Sequence, residues 1–302
     1  MLNLGSHDVI SAGYSNHDIV NFGWMITDWC NYNCSYCCSK GFLVDKFDRK
    51  QYRKGLIVPF QLRNIDVDFV IDLAGGEPTV HPYLNRILED LVGNDKCLRV
   101  NINTNLSRSL KYFHNIFDHY KITISASYHA EHHSEQFIEK CIALKDKSFI
   151  CHINLIDDSK YWPNILKLIN ICKSNNVRYA FNHLYDTKFR TIKYNKKFYN
   201  TFKQINNTDR LYPIHLSNDK TKYMTQLDIF KKKLHLFKGY KCTSLNYIIN
   251  FDGSIVRECT TDNISKFPKK KELMTPVICP RERGCDCDVM LNYYKEIPEC
   301  SL

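Results

Sequence analysis

At 302 residues, with 44% hydrophobic and 25% charged side chains, the chain has ordinary globular composition, which excludes disordered, collagen-like and coiled-coil readings. No stretch reaches the apolar length of a bilayer span, and Asp8 interrupts an N-terminus lacking the basic and apolar regions of an export signal. The expectation is a cytoplasmic protein with no membrane partner. The net charge of +10 comes mostly from residues after Ile150, where the runs Lys231-Lys232-Lys233 and Lys269-Lys270-Lys271 carry no interleaved aromatics, so they read as solvated surface rather than a nucleic-acid site.

Residues 1–20 read as an N-terminal extension. From Phe22 to Leu184, apolar runs of strand length alternate with helix-period segments, the pattern of repeated βα units around a parallel sheet. The expected strands are 23–27, 69–73, 98–103, 122–126, 149–156 and 178–182. Six strands suit an open barrel rather than a closed eight-stranded one. Between them, Leu84, Ile87, Leu88, Leu91 and Val92 form the stripe of a helix lying on a sheet, with His81-Pro82 just ahead of its first turn. Ser134 is placed to cap a helix through Leu144, and Pro163 to open one through Cys172. Cys97, Cys141, Cys151 and Cys172 stand singly on these elements and read as small core hydrophobes. After Lys188 the pattern loosens into Lys-, Asn- and Tyr-rich sequence with some helical period. The expected organisation is a core over 21–215, then a linker helix and a small C-terminal domain over 216–302.

Fourteen cysteines without an export signal point to metal or cluster ligation rather than disulfides. The sharpest group is Cys30-x3-Cys34-x2-Cys37, directly after the first expected strand. Three thiolates from one loop can hold three corners of a [4Fe-4S] cubane, whereas structural zinc takes four ligands at paired spacings. The group resembles the signature of the radical S-adenosylmethionine (SAM) superfamily, with Tyr36 in its aromatic slot. That resemblance implies an open iron that chelates SAM, reductive cleavage to a 5′-deoxyadenosyl radical, and hydrogen abstraction from a substrate. Cys38 falls outside the pattern and is given no ligand role.

The second expected strand ends in Gly75-Gly76-Glu77-Pro78, where missing side chains let backbone approach a ligand. The tetrapeptide is similar to the superfamily's second motif, which implies a grip on the SAM amino group. By the same resemblance Thr104, Asn105, Ser125 and Ser127 are candidates for the SAM ribose and carboxylate, and Asn154 for the adenosyl group. Each could equally satisfy loop backbone groups. Tyr128 and His129, followed by His132 and His133, are expected at the barrel mouth, the first two against a polar substrate.

Near the C-terminus, an Asp252-Gly253 hairpin turn separates Cys242 from Cys259, and Cys279, Cys285 and Cys287 follow. Four of these five could form a four-thiolate site. This block is similar to the twitch domain, the shorter relative of the SPASM domain, which implies an auxiliary [4Fe-4S] cluster. It departs from that pattern in the Gly253-to-Cys259 interval, one residue longer than usual, and in Cys285-x-Cys287, which leaves open which of the last three cysteines ligate. A structural zinc is the alternative occupant, and Cys300 reads as a bystander.

Together these features imply a partial (β/α)6 TIM-like barrel, of α/β class, with a small C-terminal auxiliary-cluster domain built on a β-hairpin and helix. The implied activity is hydrogen abstraction from a small polar or acidic substrate, sugar- or aminocyclitol-like. Dehydrogenation or epimerisation would follow, with the auxiliary cluster as electron acceptor and a flavodoxin or ferredoxin as reductant. Only about thirty residues precede Cys30, too few for a peptide-recognition domain, yet peptide maturation stays as an alternative. From a different class, a basic, zinc-stabilised RNA-binding protein also fits the cysteines and lysines.

Overall fold

The computed structural model describes residues 9–12, 19–44, 52–116, 119–156, 158–184, 196, 211–217, 220–225, 228–229, 232–234, 236–242, 245–257, 263–264, 267, 269, 272–273, 275–280 and 295–297. The first part of the chain forms β1 (Val9–Ala12), β2 (Val20–Thr27), α1 (Tyr52–Gly55), α2 (Ile57–Leu62), β3 (Phe69–Gly75), α3 (Leu84–Val92), β4 (Cys97–Thr104) and α4 (Leu110–Ile116). There follow β5 (Ile122–Tyr128), α5 (Glu135–Leu144), β6 (Phe149–Leu155), α6 (Trp162–Ser174) and β7 (Tyr179–His183). The remainder is β8 (Leu211–Leu216), β9 (Thr221–Thr225), β10 (Lys241–Cys242), β11 (Asn246–Ile249), β12 (Ile255–Arg257), β13 (Asn263–Ile264), β14 (Val277–Ile278) and β15 (Lys295–Glu296).

All six expected strands are present, and β2 through β7 lie side by side in chain order, every pair parallel. Alternation decides which face each residue takes. Phe22, Trp24, Ile71, Leu73, Ile102 and Ile124 are buried under the helices, while their neighbours along each strand turn to the concave side. The α3 stripe is buried as its spacing predicts, Ser134 Oγ accepts the Phe137 N–H at 3.2 Å, and Pro163 sits in the first turn of α6. Cys97, Cys141, Cys151 and Cys172 are all core residues.

The hairpin β11–β12 joins the core sheet: β11 pairs parallel with the outer edge of β2, from Asn246 opposite Asn21 to Ile249 opposite Trp24. An open barrel leaves that edge of β2 with unpaired backbone groups, and β11–β13 cover it, making a nine-stranded sheet. The stretch read with helical period contains an antiparallel hairpin, β8–β9, and β1 in the N-terminal extension pairs with it. These strands join β10, β14 and β15 in a second, six-stranded sheet. Ile214, Leu216 and Met224 turn from that hairpin into a small separate core with Ile229, Leu234, Phe237 and Cys279.

His81, just ahead of α3, is buried with its Nδ1 accepting the Tyr83 N–H at 3.2 Å and the Tyr52 ring edge-on at 5.0 Å. Burial pushes its imidazole from the ordinary 6.5 down to about 4, so the folded chain binds this proton later than the unfolded one. The unfolded state therefore holds more protons between those values, and the stability due to neutral His81 is full above pH 6.5 and lost as the pH falls toward 4. The loss is on the order of 3 kcal/mol. Urea midpoints of wild type and His81→Gln across this range should converge or cross as pH falls; a pH-independent difference would count against the assignment.

Candidate active site

The loop after β2 is stitched to the end of β3. Gly76 N–H donates to Thr27 O at 2.8 Å and Glu77 N–H to Trp29 O at 3.0 Å. A Cβ on Gly75 would lie 2.1 Å from Thr27 O, and one on Gly76 2.0 Å from Trp29 O; Gly75 also has φ +116°. Both glycines are thus required by backbone approaching backbone. Held in this way, Cys30, Cys34 and Cys37 line one pocket together with Gly75 and Glu77, Thr104 and Asn105 at the end of β4, and Ser127 and His129 at the end of β5. The pocket opens at the C-terminal ends of the parallel strands, where such sheets place their sites.

Burial pushes the Cys30 thiol up to about 11 and Cys34 to about 12, with the neighbouring cysteines adding to the rise. Cys30 and Cys34, whose thiols resist ionisation, stand with Cys37 in one pocket and make a good soft-metal site, because a bound cation removes the repulsion between thiolates. The donor set fits an iron–sulfur cluster.

Glu77 is buried, and both carboxylate oxygens are spoken for by this chain. Oε1 accepts from Thr79 N–H at 3.0 Å, Thr79 Oγ1 at 2.5 Å and Thr104 Oγ1 at 2.6 Å, and Oε2 from Asn105 N–H at 2.7 Å. Its side chain locks the β3 end to the β4 end. Asn105 then reaches Asn31 Oδ1 of the cysteine loop at 2.9 Å. Because each oxygen faces a backbone N–H, the amide of Glu77→Gln must set its NH2 against a donor in either orientation. We expect that substitution to cost about 2 kcal/mol or more in stability, read by urea unfolding; a neutral effect would show that the carboxylate is not held as described.

The turn between β5 and α5 grips the same loop from the other side. Glu131 accepts from the Ser35 N–H at 2.7 Å and from its hydroxyl, His132 stacks on Tyr32 with centroids 4.1 Å apart, and His129 Nδ1 lies 2.9 Å from Tyr36 Oη and 3.4 Å from Cys34 Sγ. Burial pushes the His129 imidazole down to about 4, so it is neutral here. Donor atoms of Cys34, Glu131 and His132 fall within 4.8 Å of one another. Glu131 and His132 carried no local signal for this role, since their partners Ser35 and Tyr32 lie about a hundred residues earlier.

The sequence matches no family model and no curated protein. Among solved structures, the fold is similar to Streptococcus suis SuiB bound to S-adenosylmethionine, with TM-score 0.50 and 14% identity over 81% of this chain and 60% of that one. It is similar also to anSMEcpe with bound AdoMet, at TM-score 0.54 and 12% identity over 84% and 80% of the two chains. A further structure, anSMEcpe with AdoMet and the Kp18Cys peptide, aligns at TM-score 0.50 and 13% identity over 78% and 73%. The chain shares the α/β fold of these structures. It spans less than two thirds of SuiB's length.

Within that fold, the remaining expected site residues divide by strand parity. Ser125 shares the concave face with Ser127 and donates to Asn101 Oδ1 at 3.0 Å, and Asn154 donates to Tyr128 O at 3.0 Å from the same face. Pro78 is buried and opens the short turn after Glu77. Tyr128 is not at the mouth: next to inward-facing Ser127, it must point outward, and its hydroxyl is 2.6 Å from His133 Nδ1 with its ring against Phe137. Its expected substrate contact is corrected accordingly. Cys242 is buried on β10 opposite Val277, and Cys279, two residues further along, is buried beside the same ribbon. Cys259, Cys285 and Cys287 lie outside the described residues. Among the described residues, no helix is long and apolar enough to cross a membrane.

Proposed function

We propose that the protein is a radical SAM enzyme, on the observation that Cys30, Cys34 and Cys37 share one pocket with the Gly75 backbone at the C-terminal mouth of the sheet. The three cysteines would hold a [4Fe-4S] cluster, which when bound supplies an iron site for SAM and the electron that cleaves it to a 5′-deoxyadenosyl radical. The chain's own part is positioning. Glu77, through Thr104 and Asn105, fixes the strand ends that border the pocket, while Glu131, His132 and His129 fix the loop that carries the thiols. Ser127 and Asn154 offer polar groups to SAM from the concave face, and His129 a neutral ring to SAM or substrate.

In this reading the substrate is a small polar molecule, sugar- or aminocyclitol-like, which loses a hydrogen atom on the way to dehydrogenation or epimerisation. Cys242 and Cys279, with two of Cys259, Cys285 and Cys287, would hold the auxiliary cluster that accepts an electron, and a flavodoxin or ferredoxin would supply the first one. A peptide substrate is the second reading, favoured by the peptide named in one similar anSMEcpe structure.

The test is anaerobic reconstitution with iron, sulfide and zinc quantified per chain, then dithionite and SAM with assay of 5′-deoxyadenosine. About eight irons with deoxyadenosine formed supports both cluster sites. About four irons plus zinc keeps the radical chemistry and makes the C-terminal site structural. Zinc without iron or deoxyadenosine, with Cys34, Glu131 and His132 as its ligands, would overturn the reading.

A further inference from the structure

Below the pocket, the concave face continues as polar side chains. Every second residue of a strand shares a face, so Asp72 and Asn101 lie beneath the pocket residues Ala74 and Asn103, and His152 stands beside Ser127 in the β5–β6 register. Asp72, Asn101, His152 and Asn182 are all half-buried. Polar groups in such a position are costly without partners and hold capacity for a ligand. Asn101 Oδ1 already accepts from Thr123 and Ser125, each at 3.0 Å.

Four groups on this face form a chain whose direction is fixed at one end. The Tyr128 carbonyl can only accept, so the Asn154 atom 3.0 Å from it is the amide nitrogen. Asn154 Oδ1 is then turned to Asn182, whose Nδ2 donates to it at 3.4 Å. This leaves Asn182 Oδ1, an acceptor only, 3.1 Å from His152 Nδ1. The proton of His152 must therefore sit on Nδ1, and Nε2 is a lone-pair acceptor. None of the described residues hydrogen-bonds to it. Burial also pushes the His152 imidazole down, which keeps the ring neutral.

We propose that this face is the substrate seat and that it takes a small, uncharged, polyhydroxylated molecule, one hydroxyl of which donates to His152 Nε2 while Asp72 accepts from another. The proposal rests on the radical SAM reading and narrows its substrate. Hydroxyl donors match the two acceptors. The cation that acts on the Asp72 carboxylate through space is Arg99, and that carboxylate offsets its charge, so a neutral ligand suits this face better than an acidic one.

The experiment uses the 15N-labelled full chain, with the His152 ring signals assigned by their loss in His152→Gln. The probes are myo-inositol, scyllo-inositol and glucose, with citrate as the acidic control. We expect a protonated Nδ1 and a bare Nε2 in the free chain. At millimolar probe at least one polyol should move the Nε2 signal toward the hydrogen-bonded position, and citrate should leave it in place. Asn182→Leu should mix the two tautomers and lose the probe response. A bare Nδ1 in the wild-type chain, no response to any polyol, or an equal response to citrate would overturn the proposal. Deoxyadenosine formation under dithionite is read separately. Its absence sinks the radical reading, whereas its presence with no polyol response sinks the seat alone.

Discussion

A Gly76→Ala chain is expected to lose the seat of its cysteine loop. The added Cβ would lie 2.0 Å from Trp29 O, 2.3 Å from Trp29 C and 2.9 Å from Cys30 N, all backbone atoms with no flexible side chain to yield. The same residue donates its N–H to Thr27 O at 2.8 Å, so the loop cannot lift away without breaking the stitch between β2 and β3. Overpacking at so rigid a contact costs about 3 kcal/mol or more. Urea unfolding should show that loss, and iron bound after reconstitution should fall with it. Gly41→Ala is the matched control, because a Cβ there meets nothing within 4 Å, and its effect should stay within about 0.5 kcal/mol. Wild-type stability and iron content in Gly76→Ala would mean that the loop does not rest on β3.

Cys34→Ala should reduce deoxyadenosine formation to background and remove about four irons per chain. Its thiol is buried beside His129 and is one of the three sulfurs that line the pocket among the described residues. Two remaining thiolates would leave a cubane with a second corner unheld, and the binding energy that would organise the loop goes with it. Cys38→Ala supplies the contrast. Cys38 is the next residue after the triad, yet it does not line the pocket and its sulfur lies 4.0 Å from Ser39 Oγ. That variant should keep iron and deoxyadenosine close to wild type. Equal losses from the two substitutions would show that a different set of cysteines holds the metal.

Several site residues were legible from strand parity alone. Once Ala74, Asn103 and Ser127 are taken as pocket residues, two-residue alternation already places Asp72, Asn101 and Ser125 on their face. It also turns Tyr128 to the opposite face of β5 from Ser127, where its ring lies against Phe137. The parallel order of β2 to β7 was equally readable from the βα alternation, and the α3 stripe and the Ser134 cap from neighbours within one element.

The amino-acid sequence by itself determined the parallel βα core, the loop bearing Cys30, Cys34 and Cys37, and the Gly75-Gly76 strand end, because periodicity and spacing are local properties. Only the tertiary structure decided where the edges went. Nothing in the composition of 211–225 indicates that β8 will pair with β1, or that β11 will cover β2, because edge pairing is set by which backbone groups remain unsatisfied after the core has formed. The same holds for Glu131 on Ser35 and for the chain from Tyr128 through Asn154 and Asn182 to His152. Those contacts join residues tens of positions apart, and their hydrogen-bond directions follow from neighbours that only the folded sheet supplies.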